Sequence, residues 1–263
     1  MISEPLRLRV TGSRACFTRP EFHVERVSYP VITPSAARGI LESILMKPIE
    51  KPEADKRHDK TGFRWRVLRL GIINKGFLTP ILRNELGYKS HAYRGYDVSD
   101  TDNVRAQRNS LILTGGVRAT GEPLPLDYLI EAVIEVPNGH AYADGVHLVA
   151  KYQSMFTRYA QQGRCFHRPY FGCREFPCEF VWAPEAAPNP RLNETFGPML
   201  CDFDFAPVWN HWPEHQPRPA EWKSNGRTIS PQPKSFQAVA EKGWITVAEI
   251  VDQNGKKEVI ERA

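Results

Sequence analysis

The sequence predicts a mixed α+β protein in which a strand-helix-strand-strand-helix-strand unit is followed by a smaller β-rich region. Three observations support this prediction. Short runs that alternate apolar and basic residues are typical of half-buried strands, and two other stretches repeat apolar residues at helical spacing. After residue 183 the composition changes to proline-rich segments and short strand-like runs.

The chain begins with a predicted strand and a predicted helix. LRLRVTGS (6–13) alternates apolar and basic residues, which is the pattern of a strand with one buried face. Prolines between residues 20 and 34 then disfavour helix, because the ring fixes φ and removes an N–H donor. Ser35 is predicted as the N-cap of the first helix, whose apolar stripe runs from residue 36 to 45 and which ends before Pro48.

Two further strands and a second helix follow. FRWRVLRLGII (63–73) alternates again, and LDYLIEAVIEV (126–136) is an apolar, β-branched run, so both predict strands. The residues between them, at about 74–120, are predicted to form a polar insertion. VHLVAKYQSMFTRYAQQG (146–163) is predicted to be the second helix, and the sequence after it predicts a glycine-centred turn and a last strand.

This β-α-β-β-α-β order is that of the ferredoxin-like fold, an antiparallel sheet backed by two helices. We therefore expect a ferredoxin-like domain at residues 1–183, which includes the insertion, and a small β-rich C-terminal domain at residues 184–263. In the second region an Asn-Gly pair at residues 254–255 stands between two strand-like runs, which predicts a β-hairpin.

The composition is that of a globular protein with a mild basic excess. The 263 residues are 41% hydrophobic and carry 35 Lys and Arg against 30 Asp and Glu, a formal net charge of +5. Many arginines stand beside aromatic residues, and a guanidinium both binds phosphate oxygens and stacks on bases, so a nucleic-acid partner is favoured. No apolar run is long enough for a membrane span and no signal-peptide pattern opens the sequence, so we expect a cytoplasmic protein without a membrane partner.

The five cysteines do not predict a metal site. Cys165, Cys173 and Cys178, with His167 as a fourth ligand, are the residues that a zinc site would use, but their spacing matches no known zinc pattern. We interpret the cysteines as reduced thiols that act as small hydrophobic side chains, and we expect no metal and no cofactor.

Four strings give the sequence a resemblance to a known family. They are ACFTRPEFHVERVSYPVITPSAARGILESILMKP (15–48), RNE (83–85), AQR (106–108) and GRCFHRPYFGCREFPCEF (163–180). Through them, from about residue 6 to 182 and more weakly beyond, the chain resembles the Dvulg-subtype Cas-five subunit of type I-C CRISPR systems.

The resemblance implies a fold, an activity and a set of partners. The fold is the ferredoxin-like, RRM-like fold of the RAMP superfamily. The activity is metal-independent cleavage of the repeat hairpin of precursor CRISPR RNA, after which the subunit stays on the 5′ handle within the surveillance complex. The implied partners are precursor and mature CRISPR RNA and the backbone and large subunits of that complex, and duplex DNA is left open. A second hypothesis is a non-catalytic RNA-binding subunit that caps the 5′ handle while another protein cuts.

The catalytic positions of the family are only partly matched. Cleavage without a metal uses the neighbouring 2′-hydroxyl as nucleophile and needs a base for its proton and a fixed cation for the transition-state charge. In the family a Lys-His pair opens the second helix, and a tyrosine or histidine precedes a Trp-Lys-Pro ending of the first. Here the pair is Lys151-Tyr152, and Leu45 and Met46 stand at the first-helix positions. The resemblance thus assigns charge stabilisation to Lys151 and leaves the base open.

Two residues of the second helix are candidates for that base. Tyr152 has two interpretations: a base whose pKa is lowered by nearby cations, or part of a buried stripe on the helix, and the stripe is favoured. His147 lies four residues before Lys151, on the same helix face. It is therefore preferred as substitute base over His140 and His167, which are predicted to lie in loops.

Eight basic residues are predicted to contact RNA. Phosphate contacts of this kind set affinity and salt dependence but carry no sequence information. Local ion pairs are the competing interpretation for two of them, Arg83 with Glu85 and Arg174 with Glu175. The eight residues are Arg26, Arg38, Lys47, Arg83, Arg105, Arg108, Arg158 and Arg174.

Overall fold

A computed structural model describes the chain at residues 1–22, 24–47, 62–86, 105–136, 145–204, 223–224, 227–228, 232–253 and 256–261. The helices of this part are α1 (Pro34–Ile44) and α2 (Gly145–Gln161). The strands are β1 (Leu6–Gly12), β2 (Arg14–Ala15), β3 (Arg26–Val27), β4 (Arg64–Asn74), β5 (Phe77–Leu86), β6 (Arg105–Thr114), β7 (Gly116–Val117), β8 (Pro123–Leu124), β9 (Leu126–Glu135), β10 (Glu179–Trp182), β11 (Glu194–Asp204), β12 (Lys223–Ser224), β13 (Arg227–Thr228), β14 (Gln232–Glu241), β15 (Trp244–Thr246), β16 (Ala248–Gln253) and β17 (Lys256–Glu261).

Seven of these strands form the main sheet. Their order is β10-β1-β9-β4-β15-β14-β11, and every neighbouring pair is antiparallel. α1 contacts β4 and β11, and α2 contacts β9 and β10, so that strands and helices share one hydrophobic core. The predicted α+β class is confirmed. Neither helix in the described part of the chain is long and apolar enough to cross a membrane.

The N-cap of α1 is Thr33 and not the predicted Ser35. The Thr33 hydroxyl accepts a hydrogen bond from the Ala36 backbone N–H at 3.2 Å, and Pro34 takes the first helical position. Serine and threonine cap helices about equally well, so the side chain alone does not decide between the two positions. Pro34 decides it, because proline fits the first helical position, where its missing N–H has no partner to lose.

The stretch predicted as a polar insertion contains a long β-hairpin in its described residues. β5 and β6 pair antiparallel from Phe77 opposite Thr114 to Leu86 opposite Arg105. β2 and β3 pair with the other side of β6, which completes a second sheet of four strands. The hairpin was missed because much of it is open to solvent, so polar residues interrupt its apolar pattern. Residues 87–104 lie outside the described part.

Strands from beyond residue 184 extend the main sheet. β15 pairs with β4, and β14 and β11 continue outward from it, so these strands share a sheet with the N-terminal ones. The predicted hairpin around the Asn-Gly pair is confirmed in its two strands, since β16 and β17 pair antiparallel. The division into two domains at residues 183 and 184 stays a prediction.

Arginines of β1 and β4 pair with acidic residues of β9 across the sheet. Arg7 and Arg69 both bind the buried Glu131 carboxylate, at 2.7 and 2.8 Å, and both guanidinium groups lie over the Trp244 ring. Burial alone would raise the pKa of Glu131, but these hydrogen bonds outweigh it, so the pKa is lowered. The arginines of β1 and β4 therefore stabilise the sheet, and their charge is neutralised within the protein. Further pairs of this kind join Arg9 to Asp127 and Arg66 to Glu135.

Candidate nucleic-acid interface

The end of α1 and the second turn of α2 meet at Phe63. The Phe63 backbone N–H donates to the Lys47 carbonyl oxygen at 3.1 Å, and the Phe63 ring centroid lies 4.8 Å from that of Tyr152. Lys47 and Lys151, which precedes Tyr152, are therefore positioned by the same aromatic residue. Both lysines are exposed. We call this surface, together with the exposed Arg158 of α2, the helix-end cluster.

The exposed face of α2 carries two predicted cations. Lys151 and Arg158 are seven residues apart and are both exposed, as the helical spacing predicts. The Arg158 guanidinium lies 5.8 Å from the centroid of the Tyr159 ring. The side chain of His147 lies outside the described residues, so its role as substitute base stays a prediction.

Neither Leu45 nor Tyr152 presents a proton-transfer group at this surface. Leu45 is buried, and its carbonyl oxygen accepts a hydrogen bond from the Trp65 indole N–H at 2.9 Å. Tyr152 is 2% exposed and belongs to the core. A general base must reach the 2′-hydroxyl of RNA, so the structure argues against a catalytic Tyr152 and supports the buried-stripe interpretation.

Arg38 is engaged by carboxylates of its own protein. Its guanidinium pairs with Asp202 of β11 and lies 3.4 Å from Glu42, one helical turn later. Burial, with the charge of Asp202, raises the pKa of Glu42, although Arg38 opposes this effect. The structure therefore argues against the predicted RNA contact of Arg38, because a phosphate would have to displace these partners.

Arg83 is likewise used inside the fold. It pairs with Glu175 in the turn after α2 and lies over the Phe176 ring, with its side chain only 10% exposed. Glu175, which the competing interpretation offers as a local partner of Arg174, pairs with Arg83 in the structure. The side chain of Glu85 lies outside the described residues. Because Arg83 is mostly buried, a phosphate contact is disfavoured for this residue as well.

Arg26 lies against a cysteine thiol beside the same turn. Its Nη1 donates to Cys173 Sγ at 3.2 Å. The hydrogen bond with Cys16, together with the Arg26 charge, lowers the pKa of the Cys173 thiol to about 5, although burial opposes the shift. The same hydrogen bond and burial raise the pKa of Cys16. Among the described residues no group of three or more side chains is arranged to hold a metal ion.

The remaining predicted contacts lie near this turn or on the same sheet. The Arg108 Nη1 donates to the Val24 carbonyl oxygen at 3.3 Å, and Arg174 is exposed. The side chain of Arg105 is outside the described residues. Apart from Arg38 and Arg105, the predicted cations therefore divide between two places. One is the helix-end cluster, and the other, which we call the second-sheet cluster, consists of Arg26, Arg83, Arg108 and Arg174.

A match to a protein family covers both clusters. A family model for Cas5d, described as "CRISPR-associated protein (Cas_Cas5)", matches residues 5–248. The chain belongs to this family. The resemblance inferred from the four sequence strings is confirmed, and the family extends well past residue 182, into the strands that complete the main sheet.

Two curated Cas5d relatives cover most of this chain. The "CRISPR pre-crRNA endoribonuclease Cas5d" of Thermus thermophilus is 37% identical over 242 residues, which is 92% of this chain and 90% of that protein. The protein of the same name from Mannheimia succiniciproducens is 34% identical over 217 residues, 76% of this chain and 85% of that one. Both matches therefore cover more than two thirds of this chain and of the relatives.

Solved structures show the same fold at lower identity. One, titled "Crystal Structure of CRISPR-associated Protein", matches with a TM-score of 0.54 and 19% identity, covering 94% of this chain and 92% of the other. A functionally uncharacterized protein from Streptococcus mutans matches with a TM-score of 0.53 and 17% identity, covering 94% and 93%. At this identity the likeness is evidence of the Cas5 fold and of nothing finer.

The Cas5 chain carries one exposed group that the sequence analysis missed. The segment after α2 returns to the end of α1, where the backbone N–H groups of Phe166 and His167 both donate to the Ser43 carbonyl oxygen. The Phe166 ring points to solvent and contacts the His167 ring. Nothing in the sequence marks Phe166 as exposed, because no periodic pattern surrounds it.

Proposed function

We propose that this Cas5 chain binds the repeat hairpin of precursor CRISPR RNA and cuts it, and that it then stays on the 5′ handle of the guide. One observation carries the proposal: two curated relatives at 37% and 34% identity, which cover most of the chain, are named as pre-crRNA endoribonucleases. The exposed lysines where α1 and α2 meet agree with it, because they offer positive charge to an RNA backbone.

The fold that would carry this activity is the ferredoxin-like fold of the RAMP superfamily. In chain order, β1, α1, β4, β9, α2 and β10 give the β-α-β-β-α-β series. In space these four strands lie in the order β10-β1-β9-β4 with antiparallel neighbours, as the ferredoxin-like arrangement requires. This correspondence supports the assignment, and it makes the helix-end cluster the junction of the unit's two helices.

The chemistry we propose needs no metal. The 2′-hydroxyl oxygen attacks the adjacent phosphorus, the bond from phosphorus to the 5′-oxygen breaks, and a cyclic phosphate and a 5′-hydroxyl result. Lys151 is the proposed cation for the charge of the transition state. It is exposed and held beside Phe63 by the packing of Tyr152. His147 remains the proposed base, which takes the 2′ proton, while the leaving 5′-oxygen gains a proton from solvent.

A second candidate function is supported by a specific observation. Leu45 and Tyr152, at the positions where the resembled family carries ionisable groups, are both buried in the core. A general acid or base contributes about 10²–10⁴-fold to a rate. A chain without these groups would suit a non-catalytic subunit that caps the 5′ handle while another protein cuts the transcript.

The proposed setting follows from the family. We propose that the chain works in the cytoplasm with the backbone and large subunits of a type I-C surveillance complex, on precursor and mature CRISPR RNA. Duplex DNA is a further proposed partner, for which the exposed Arg26 and Arg174 of the second-sheet cluster offer positive charge.

Cleavage of the repeat RNA from the chain's own CRISPR locus tests the proposal. The end-labelled RNA is incubated with protein in EDTA, and the wild type is compared with Lys151→Ala. The control is Arg118→Ala, which removes an exposed cation that pairs with Glu122 in the turn between β7 and β8. We expect a single cut by the wild type and the control, with 5′-hydroxyl and cyclic-phosphate ends, and at least a hundredfold slower cutting by Lys151→Ala.

The two candidate functions give different outcomes. Tight binding of the repeat RNA without any cut, by wild type and variants alike, would establish the capping subunit instead of the nuclease. Cutting that disappears in EDTA and returns with a divalent cation would refute the metal-independent mechanism. Equal rates for the wild type and Lys151→Ala would remove Lys151 from the chemistry.

A further inference from the structure

Phe166 is the most exposed large hydrophobic side chain among the described residues, at 80% of its surface. Single exposed apolar side chains are common on protein surfaces, so exposure alone does not mark a site. Phe166 differs from such a residue because hydrogen bonds hold its backbone against the end of α1 and because its ring contacts the ring of His167.

The backbone beneath the ring is anchored. The N–H groups of Phe166 and His167 both donate to the Ser43 carbonyl oxygen, at 2.9 and 3.0 Å. Ser43 lies in the last turn of α1, where carbonyl groups have no partner within the helix. Just before, Gly163 ends α2 with a φ of +64°, and the Arg164 N–H returns to the Tyr159 carbonyl oxygen at 2.9 Å. Both helix ends thus fix this short segment.

The segment that carries the ring, and the end of α2 before it, also bring aromatic and cationic groups. The Phe166 and His167 ring centroids are 4.5 Å apart in an edge-to-face arrangement, which braces one ring against the other. The Arg158 and Arg164 guanidinium groups both lie over Tyr159, at 5.8 and 5.9 Å from its ring centroid. Aromatic rings for stacking, next to cations for the backbone, are the composition of sites that bind single-stranded nucleic acid.

We propose that Phe166, braced by His167, is a stacking platform for one unpaired base of the bound RNA. The proposal rests on the proposed function in one respect, that the chain binds RNA. Arg158 and Arg164 lie near enough in the chain to contact phosphates that flank the stacked base. A protein partner would need a broader apolar surface, whereas Phe166 is the one large exposed apolar side chain of its segment, residues 163–168, which also carries Arg164 and Arg168.

RNA binding by Phe166 variants tests the platform. The probe is fluorescein-labelled repeat RNA from the chain's own locus, measured by fluorescence anisotropy across a range of salt concentrations. Phe166→Leu keeps an apolar side chain and removes the ring, Phe166→Trp keeps a ring, and Val117→Ala is the control at another exposed apolar side chain. Loss of one stacked base corresponds to about 5- to 150-fold in affinity.

The expected result separates stacking from charge. Phe166→Leu should weaken binding at least fivefold and leave the dependence of log Kd on log salt unchanged, while Phe166→Trp and Val117→Ala bind like the wild type. Arg158→Ala should instead reduce the slope of log Kd against log salt by about one, because one phosphate contact is lost. A Kd for Phe166→Leu within twofold of the wild-type value would overturn the platform. If this variant also fails to co-purify with the other subunits of the complex, the ring contacts protein instead of RNA. Failure of the wild type to bind would instead refute the proposed function.

Discussion

The Glu131 carboxylate links three neighbouring strands of the main sheet through ion pairs. It lies on β9, its side chain is 7% exposed, and it accepts hydrogen bonds from Arg7 of β1 and Arg69 of β4. Both arginines also lie over Trp244 of β15, at 5.2 and 4.5 Å from the ring centroid. Glu131→Gln keeps the size of the side chain and removes its charge, so it weakens both ion pairs and leaves the indole contacts in place.

The size of the effect follows from the number of hydrogen bonds and their exposure. Hydrogen bonds to charged groups contribute about 1.5–3 kcal/mol each. Arg7 and Arg69 are 23% and 39% exposed, so water screens part of this energy, and the new amide oxygen still accepts one bond. We expect a loss of about 2–3 kcal/mol in the free energy of unfolding. For a chain of this size that corresponds to a decrease in Tm of about 4–12 °C.

Thermal unfolding of the wild type and Glu131→Gln measures this change. The matched control is Glu179→Gln, which removes a carboxylate from an ion pair with Arg168 in which both side chains are more than two-thirds exposed. We expect its Tm to change by less than about 2 °C, because exposed pairs contribute little. Because the pKa of Glu131 is lowered in the folded protein, the stabilisation that its charge provides is present above about pH 4.3 and is lost as the pH falls further. The difference in Tm between the wild type and Glu131→Gln should therefore become smaller at low pH. Equal Tm values for these two proteins at pH 7 would refute the reasoning.

Three further predictions concern a cap, a turn and a thiol. Thr33→Ala should lower the free energy of unfolding by about 1 kcal/mol in urea titrations, and Ser35→Ala by far less, since only Thr33 caps α1. Gly172→Ala should cost about 2 kcal/mol or more, because φ is +79° and a Cβ would overlap a backbone oxygen; a loss below 0.5 kcal/mol would contradict this. Alkylation of Cys173 by iodoacetamide, followed by mass spectrometry, should reach half its maximal rate well below the pH of about 8.5 that an ordinary thiol requires, and a midpoint at or above that pH would contradict the lowered pKa.

Local patterns predicted most of the elements that form the core. The strands near residues 6–13, 63–73 and 126–136 and both helices were predicted, because periods of 2 and 3.6 residues are properties of short stretches. The β5–β6 hairpin was missed, since an open sheet face leaves polar residues among the apolar ones. The predicted N-cap, Ser35, lies two residues after the actual one. Proline disfavours the interior of a helix but fits the first helical position, and Pro34 takes that position in α1.

The partners of the charged side chains are what local patterns predict least well in the candidate site. The sequence predicts RNA contacts for Arg38 and Arg83, which stay predictions, and the structure pairs these residues with Asp202 and Glu175, which are distant in sequence. An arginine has the same local appearance in a strand whether its partner is a phosphate or a carboxylate from another strand. Only the register of the sheet and the path of the loops bring the two groups together.

The sequence by itself determined the α+β class, the order of the core elements and the family. It also determined that Lys151 stands in the second helix where the resembled family carries a lysine. These depend on residue type and on spacing along the chain. The tertiary structure decided which cations are neutralised within the protein and that Phe166 is exposed beside the ends of two helices. These properties depend on contacts between residues far apart in sequence, which no local period encodes.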